Sequence, residues 1–139
     1  MFHRYRVETD LAPVCKEFCI GLTTFSPLYY GILTGKYNDS IPKGTRAERD
    51  GYGWIRERIT PERIAIVDML TSVAHDLDLT TAQLAIAWLL RRKEVGSVIT
   101  GATRLAQLKE NIAVGETADK LTDEILEKIE QILGNYPDE

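Results

Sequence analysis

The sequence predicts an α/β fold in which parallel strands are joined by crossover helices, and it predicts that fold in incomplete form. Three observations carry this. Two apolar runs rich in β-branched residues, 20–25 and 95–99, are separated by two helical patterns and followed by two more. The second run leads through Gly101 into a helix start. Only two strands are visible, and two parallel strands cannot make a sheet covered on both faces.

Residues 9–18 predict a short helix, with Thr9 or Asp10 as cap and Leu11, Val14, Cys15 and Phe18 on one side. Residues 20–25 predict a strand that Pro27 ends, because proline cannot donate to a ladder. An irregular stretch then runs to about residue 59, with Gly31, Gly35, Gly44, Gly51 and Gly53. A loop of that length is functional or disordered. Its aromatics Tyr29, Tyr30, Tyr37, Tyr52 and Trp54 favour order.

Thr60-Pro61-Glu62 has the form of a helix start, and Ile64, Val67, Leu70, Val73 or Ala74, and Leu77 follow at helical spacing. Thr80 to Gln83 has the form of a capping box and opens a helix over 82–92 that is apolar almost all round. Residues 95–99 predict a buried strand, Gly101 a sharp turn, and Thr103 the cap of a helix with Leu105, Leu108 and Ile112 on its apolar side. Thr122 caps a last helix over 122–133, Leu121 staples to Leu126, and Gly134 stops it. Ile125, Ile129, Ile132 and Leu133 form its inner face.

Composition narrows the function. A net charge of −4 argues against a nucleic-acid surface, and the same acidic balance with the apolar circumference of the 82–92 helix argues against a helix-turn-helix reading of residues 60–92. No apolar run approaches the roughly 20 residues of a membrane span, and the N-terminus lacks a signal-peptide core. Cys15 and Cys19, with only His3 and His75 for company, predict reduced, structural thiols in a cytoplasmic protein and no metal site.

Two loops predict the chemistry. After the second strand, the free N–H groups and dipole of a helix N-terminus make a site for an anion, to which Arg104 adds a full charge. Gln107, Glu110 and Asn111 offer polar groups further along, as a nucleotide phosphate would need. An ordinary capped strand-to-helix connection has the same local pattern. After the first strand, residues 24–37 carry backbone at Ser26 and Leu28 and the cations Lys36 and, beyond Pro42, Arg46. In (β/α)8 barrels the phosphate site is built by the loops after strands seven and eight, beside an extra helix, and this chain has that order of parts.

The chain resembles the C-terminal part of the aldo-keto reductases, in the branch with bacterial reductases and potassium-channel beta subunits. The resemblance rests on Phe25-Ser26-Pro27-Leu28, Gly31-Ile32-Leu33-Thr34-Gly35-Lys36-Tyr37 and Gln83-Leu84-Ala85-Ile86-Ala87-Trp88. It continues through Val98-Ile99-Thr100-Gly101-Ala102-Thr103, Gln107-Leu108-Lys109-Glu110-Asn111 and Ile132-Leu133-Gly134, and so covers nearly the whole chain.

That resemblance implies an incomplete (TIM) barrel over residues 1–139: the last two strands, their helices and a C-terminal extra helix. It implies NADP(H), with Ser26, Pro27 and Leu28 along the pyrophosphate, Lys36 on a phosphate and Arg46 at the adenosine half. Gly101, Thr103 and Arg104 would hold the adenosine phosphate, and Gln107, Glu110 and Asn111 the 2′-phosphate region and adenine. Phe25, where this branch often has tryptophan, would pack near the nicotinamide, whereas Gly44 stands where channel subunits have tyrosine. The family's catalytic tyrosine, aspartate, lysine and histidine lie upstream of the part matched here, since Met1-Phe2-His3-Arg4 resembles the tail after strand six. The expectation is therefore a fragment or truncated product without catalytic residues, inactive alone, with exposed apolar faces that favour self-association or a missing barrel half. The rival expectation is a non-enzymatic NADPH-binding regulatory subunit.

Overall fold

The computed structural model describes residues 1–117 and 120–137. A π-helical turn Val7–Leu11 runs into helix α1 (Ala12–Glu17), followed by strand β1 (Leu22–Phe25). Helices α2 (Gly53–Arg56), α3 (Pro61–Asp76) and α4 (Thr81–Leu90) lead to strand β2 (Val95–Ile99). Helices α5 (Leu105–Ile112) and α6 (Asp123–Leu133) complete the order, which is a mixed α/β arrangement with a two-stranded parallel sheet. The pairing sets Leu22 against Val95 and Phe25 against Ile99, with Gly96 taken up by an irregularity after the first pair.

The helices with strong local signals form where their caps predict. Thr60 accepts from the Arg63 N–H at 3.4 Å with Pro61 at the first helical position, and Thr122 accepts from Ile125 N–H at 3.4 Å. Thr80 and Gln83 make a complete capping box, each side chain accepting from the other's backbone N–H at 3.1 and 3.0 Å. Gly134, left-handed at φ 56°, ends α6.

The core lies where α3, α4 and α6 meet. Val67, Leu70 and Val73 of α3, Leu84 and Trp88 of α4, and Ile129 and Leu133 of α6 are its buried members. Leu121 and Leu126, the predicted staple, are half-buried against it. The opposite side of α4 buries Ile86 and Ala87 with Val114, against Leu28 and Val98. Leu28 touches both clusters, which ties the loop after β1 to the body of the fold.

Four expectations need correction. The 9–18 helix is split between a π turn and α1, and Thr9 hydrogen-bonds to the Tyr5 carbonyl instead of capping. Of its predicted inner face only Cys15 is buried; Leu11, Val14 and Phe18 are exposed. The first strand begins at Leu22, not residue 20. β2 is not buried along its length, with Val95 buried, Val98 half-buried and Ile99 56% exposed. The α5 stripe of Leu105, Leu108 and Ile112 is likewise exposed, and Asn111 is the residue that α5 buries. Each apolar pattern is present, but among the described residues most of it stays exposed.

The long stretch after β1 is ordered by aromatics, as expected. Tyr30 meets Trp54 edge-on at 4.7 Å, and the Arg58 guanidinium lies 5.1 Å over Trp54. Two 3-10 turns, Tyr29–Thr34 and Arg46–Glu48, interrupt it.

Candidate functional site

Parallel pairing puts both strand exits at one end of the sheet. Phe25 and Ile99 are partners at that end, so residues 26–46 and 100–104 leave from adjacent positions. This is the end at which α/β sheets and barrels carry their ligand loops.

The first loop is unusual in its backbone. Ser26, Tyr29 and Tyr30 all have left-handed φ, at 53°, 45° and 61°, and Gly31 follows at 97°. Three residues with a Cβ in this region store strain, which packing must hold in place. Tyr29 is buried, with its hydroxyl 3.0 Å from His3 Nε2, and its N–H donates to the Ser26 carbonyl at 3.0 Å. The tyrosine body therefore clamps the turn that presents Ser26 and Leu28. Pro27 is buried and has no N–H, so only its carbonyl is available as a polar group.

Lys36 is exposed but closely placed. Its Nζ is 2.5 Å from where a Cβ on Gly31 would stand, and 5.0 Å from the Tyr37 ring centroid. The φ of 97° favours glycine at 31, and a Cβ there would also push aside the flexible end of Lys36. Phe25, 77% exposed, stands at the strand end. Arg46 is exposed on the turn Arg46–Glu48, which is anchored by buried Ala47 and by Arg56 Nη1 donating to the Ala47 carbonyl at 2.7 Å.

The second loop corrects the predicted cap. Arg104, in extended conformation at φ −138°, is the N-cap of α5, and it makes no side-chain cap bond. Thr103 lies outside the helix, where its N–H and hydroxyl donate to Gln107 Oε1 at 3.0 and 3.2 Å. The side chain reaching back is the glutamine, one turn into the helix. Gly101, Thr103 and Arg104 are exposed, Gln107 and Glu110 half-buried.

Glu110 has a partner that the sequence does not announce. Its Oε1 accepts the Thr80 hydroxyl at 2.5 Å, and its carbonyl accepts from Gln83 Nε2 at 3.3 Å. The carboxylate thus sits at the N-terminus of α4, where the helix dipole favours negative charge. The capping box of α4 holds α5 as well as starting its own helix.

A second cluster escaped sequence reasoning altogether. Arg4, only 5% exposed, donates to Glu8 at 2.7 Å and to Glu130, while Arg91 and Arg92 add ion pairs to Glu8 at 3.5 and 3.4 Å. Burial opposes the charge on Arg4, but its bonds to Glu8 and Glu130 prevail and raise its pKa. On Arg91 burial dominates and the pKa falls. Arg4 and Arg91 both lie over Trp88, at 4.8 and 3.6 Å. This network is remote from the loops and reads as structure. Among the described residues no His, Cys, Asp and Glu are grouped to hold a metal, and no helix is long and apolar enough to cross a membrane.

Comparison with known proteins agrees with the geometry. The family model described as "Aldo/keto reductase family" matches residues 1–134. A protein of Arabidopsis thaliana described as "Probable voltage-gated potassium channel subunit beta" is 42% identical over 139 residues, which is 99% of this chain and 42% of that protein. A "Putative voltage-gated potassium channel subunit beta" of Schizosaccharomyces pombe is 40% identical over 137 residues, 96% of this chain and 40% of that one. A third relative, "Probable voltage-gated potassium channel subunit beta" of Oryza sativa subsp. japonica, is 37% identical over 139 residues, 99% and 42% of the two chains. The chain therefore spans about two fifths of the length of the curated relatives it matches. With the family match running from the first residue to Gly134, and both loops at the shared exit of two parallel strands, this chain belongs to the aldo/keto reductase family.

Proposed function

We propose that residues 1–139 are the C-terminal, cofactor-binding portion of an NADP(H)-dependent aldo-keto reductase, a partial (β/α)8 barrel with its last two strands, their helices and an extra helix. The observation that carries the reading is the loop after β1, with left-handed Ser26, Tyr29, Tyr30 and Gly31 and with Lys36 lying across the glycine. A left-handed turn with one Cβ-free residue, Gly31, and an ammonium group beside it suits a phosphate ester.

In this reading Ser26, Pro27 and Leu28 line the pyrophosphate with backbone, and Lys36 neutralises one of its charges. Arg46, carried by an anchored turn, pairs with or stacks on the adenosine half. Gly101, Thr103 and Arg104 hold the adenosine phosphate at the start of α5. Gln107 and Asn111 meet the 2′-phosphate region and adenine, and Glu110, held by Thr80, fixes the angle of α5. Phe25 packs near the nicotinamide, which when bound would supply hydride to a carbonyl carbon. The chain contributes binding and orientation, and none of its tyrosines is proposed as the general acid. The same reading puts it in the cytoplasm as a fragment that is inactive alone and associates through its exposed strand and α5 faces.

Titration with NADPH and NADP+, followed by cofactor fluorescence, tests the proposal. Saturable binding in the micromolar range, weakened about tenfold or more in Lys36→Ala and Arg46→Ala, is expected. A folded chain with no saturable binding rejects it.

The second reading is a non-enzymatic regulatory subunit that binds NADPH and a partner. The descriptions of the three relatives favour it. NADPH affinity with saturable binding to a potassium-channel cytoplasmic domain, and no carbonyl-dependent NADPH oxidation when the missing barrel half is supplied, distinguishes it.

A further inference from the structure

The two cysteines share a cavity at the other end of the sheet. Cys15 lies in α1, and Cys19, with φ 53°, follows the helix in the left-handed conformation. Ile20 N–H donates to the Cys15 carbonyl at 2.8 Å and Cys19 N–H to the Lys16 carbonyl at 3.5 Å. This is a Schellman ending, in which the left-handed position is usually glycine. Cysteine occupies it here, although a Cβ is unfavourable there. The thiols are free, one buried and one exposed.

Both line a cavity of about 750 Å³ that also takes in Gly21 before β1 and Arg91 to Glu94 before β2. The space is an open groove, which leaves Cys19 accessible from solvent. Its charge is lopsided: Lys16, Arg91, Arg92 and Lys93 face one acid, Glu94. Arg91 and Arg92 are committed to Glu8, Glu130 and Glu94, whereas Lys16 and Lys93 make no ion pair among the described residues. The hydrogen bond from Ile20 N–H to the Cys15 carbonyl folds the chain back at Cys19 toward the last turn of α1, and both cysteines line one space.

We propose that Cys15 and Cys19 are a reactive dithiol that accepts a carboxylate-bearing disulfide of the glutathione class, with Lys16 and Lys93 drawing in its carboxylates. The thiolate form of the exposed Cys19 attacks one sulfur of oxidised glutathione. A protein–glutathione disulfide forms and one glutathione thiolate leaves. The Cys15 thiolate then attacks the Cys19 sulfur, closing a Cys15–Cys19 disulfide and releasing the second glutathione. The protein loses two electrons and two protons, and one oxidised glutathione becomes two reduced molecules. The cavity is at the strand starts, so this chemistry is independent of the nucleotide reading.

The test is mass spectrometry and thiol counting on the whole chain after incubation with oxidised glutathione, with folding followed by circular dichroism. The wild-type chain should lose both thiols and keep no adduct. Cys15→Ser (or Cys15→Ala, should serine perturb α1) should retain glutathione on Cys19, and Cys19→Ser should keep its remaining thiol free. Lys16→Glu with Lys93→Glu should slow the reaction with oxidised glutathione about tenfold and speed that with cystamine, a cationic disulfide. A wild-type adduct that never resolves, a Cys15 variant that takes no glutathione, or charge reversal without effect on either reagent would overturn the proposal.

Discussion

Arg4 and Glu130, 126 positions apart, form a charge-assisted pair between the N-terminal segment and α6. The guanidinium is held between that carboxylate and Glu8, above the ring of Trp88. The contact closes the chain on itself at the core's edge. Without Arg4 the two carboxylates keep only the longer ion pairs of Arg91 and Arg92, so Arg4→Met should destabilise the fold by about 2 kcal/mol, the loss of its charged hydrogen bonds. Glu130→Gln, which leaves Glu8 in place, should cost about half as much by the same reasoning. Urea unfolding of the two variants measures both, and equal small losses would assign the pair to surface decoration.

Thr80 links two helices through one hydroxyl. It accepts from Gln83 N–H to cap α4 and donates to Glu110 of α5. Thr80→Ala should lose about 1–2 kcal/mol, the upper part of the range for a cap, while Thr80→Ser retains most of it. If α5 helps to bind a nucleotide, Thr80→Ala weakens NADPH binding beyond what its loss of stability explains. Isothermal titration at a temperature where both variants are folded separates the two effects.

Gly31→Ala sets a Cβ against Lys36 Nζ and asks alanine to adopt φ 97°. The strain should cost about 1–3 kcal/mol. Displacement of the lysine should lower NADPH affinity as much as Lys36→Ala does. Comparison of the two dissociation constants is the check, and a Gly31→Ala chain that binds normally would separate Lys36 from the site.

Cys19→Gly removes the Cβ from a left-handed position at the end of α1. Despite the greater freedom glycine has when unfolded, a gain of about 0.5–1 kcal/mol is expected. Thermal unfolding under reducing conditions reads it directly.

Glu62 supplies the pH prediction. The Thr60 side chain, its own backbone N–H and Arg63 hold its pKa below the ordinary value against a small burial effect. A depressed carboxylate stabilises the fold above its unfolded pKa, and that contribution disappears as pH falls through the lower folded value. Thr60→Ala should move the Glu62 midpoint up toward the ordinary value in a carbon-detected NMR titration, and an unmoved midpoint would leave Thr60 without a part in it.

The sequence by itself determined whatever depends on neighbours in the chain. The caps at Thr60, Thr80 and Thr122, the apolar circumference of α4 and the stop at Gly134 involve residues within one or two turns, so their spacing was enough. The family's loop motifs were legible for the same reason. Tertiary structure alone decided which apolar faces were covered, because Leu105, Leu108, Ile112 and Ile99 have the pattern of a buried surface but stay exposed among the described residues. It also decided the work of single polar groups. Gln107, not a capping threonine, satisfies Thr103; Glu110 serves the N-terminus of α4; and Arg4 finds its carboxylate on the last helix. The Thr103–Gln107 bond is local, four residues apart, but the other two join positions 30 and 126 residues apart. The geometry that selects those two is made by packing and has no counterpart in local spacing.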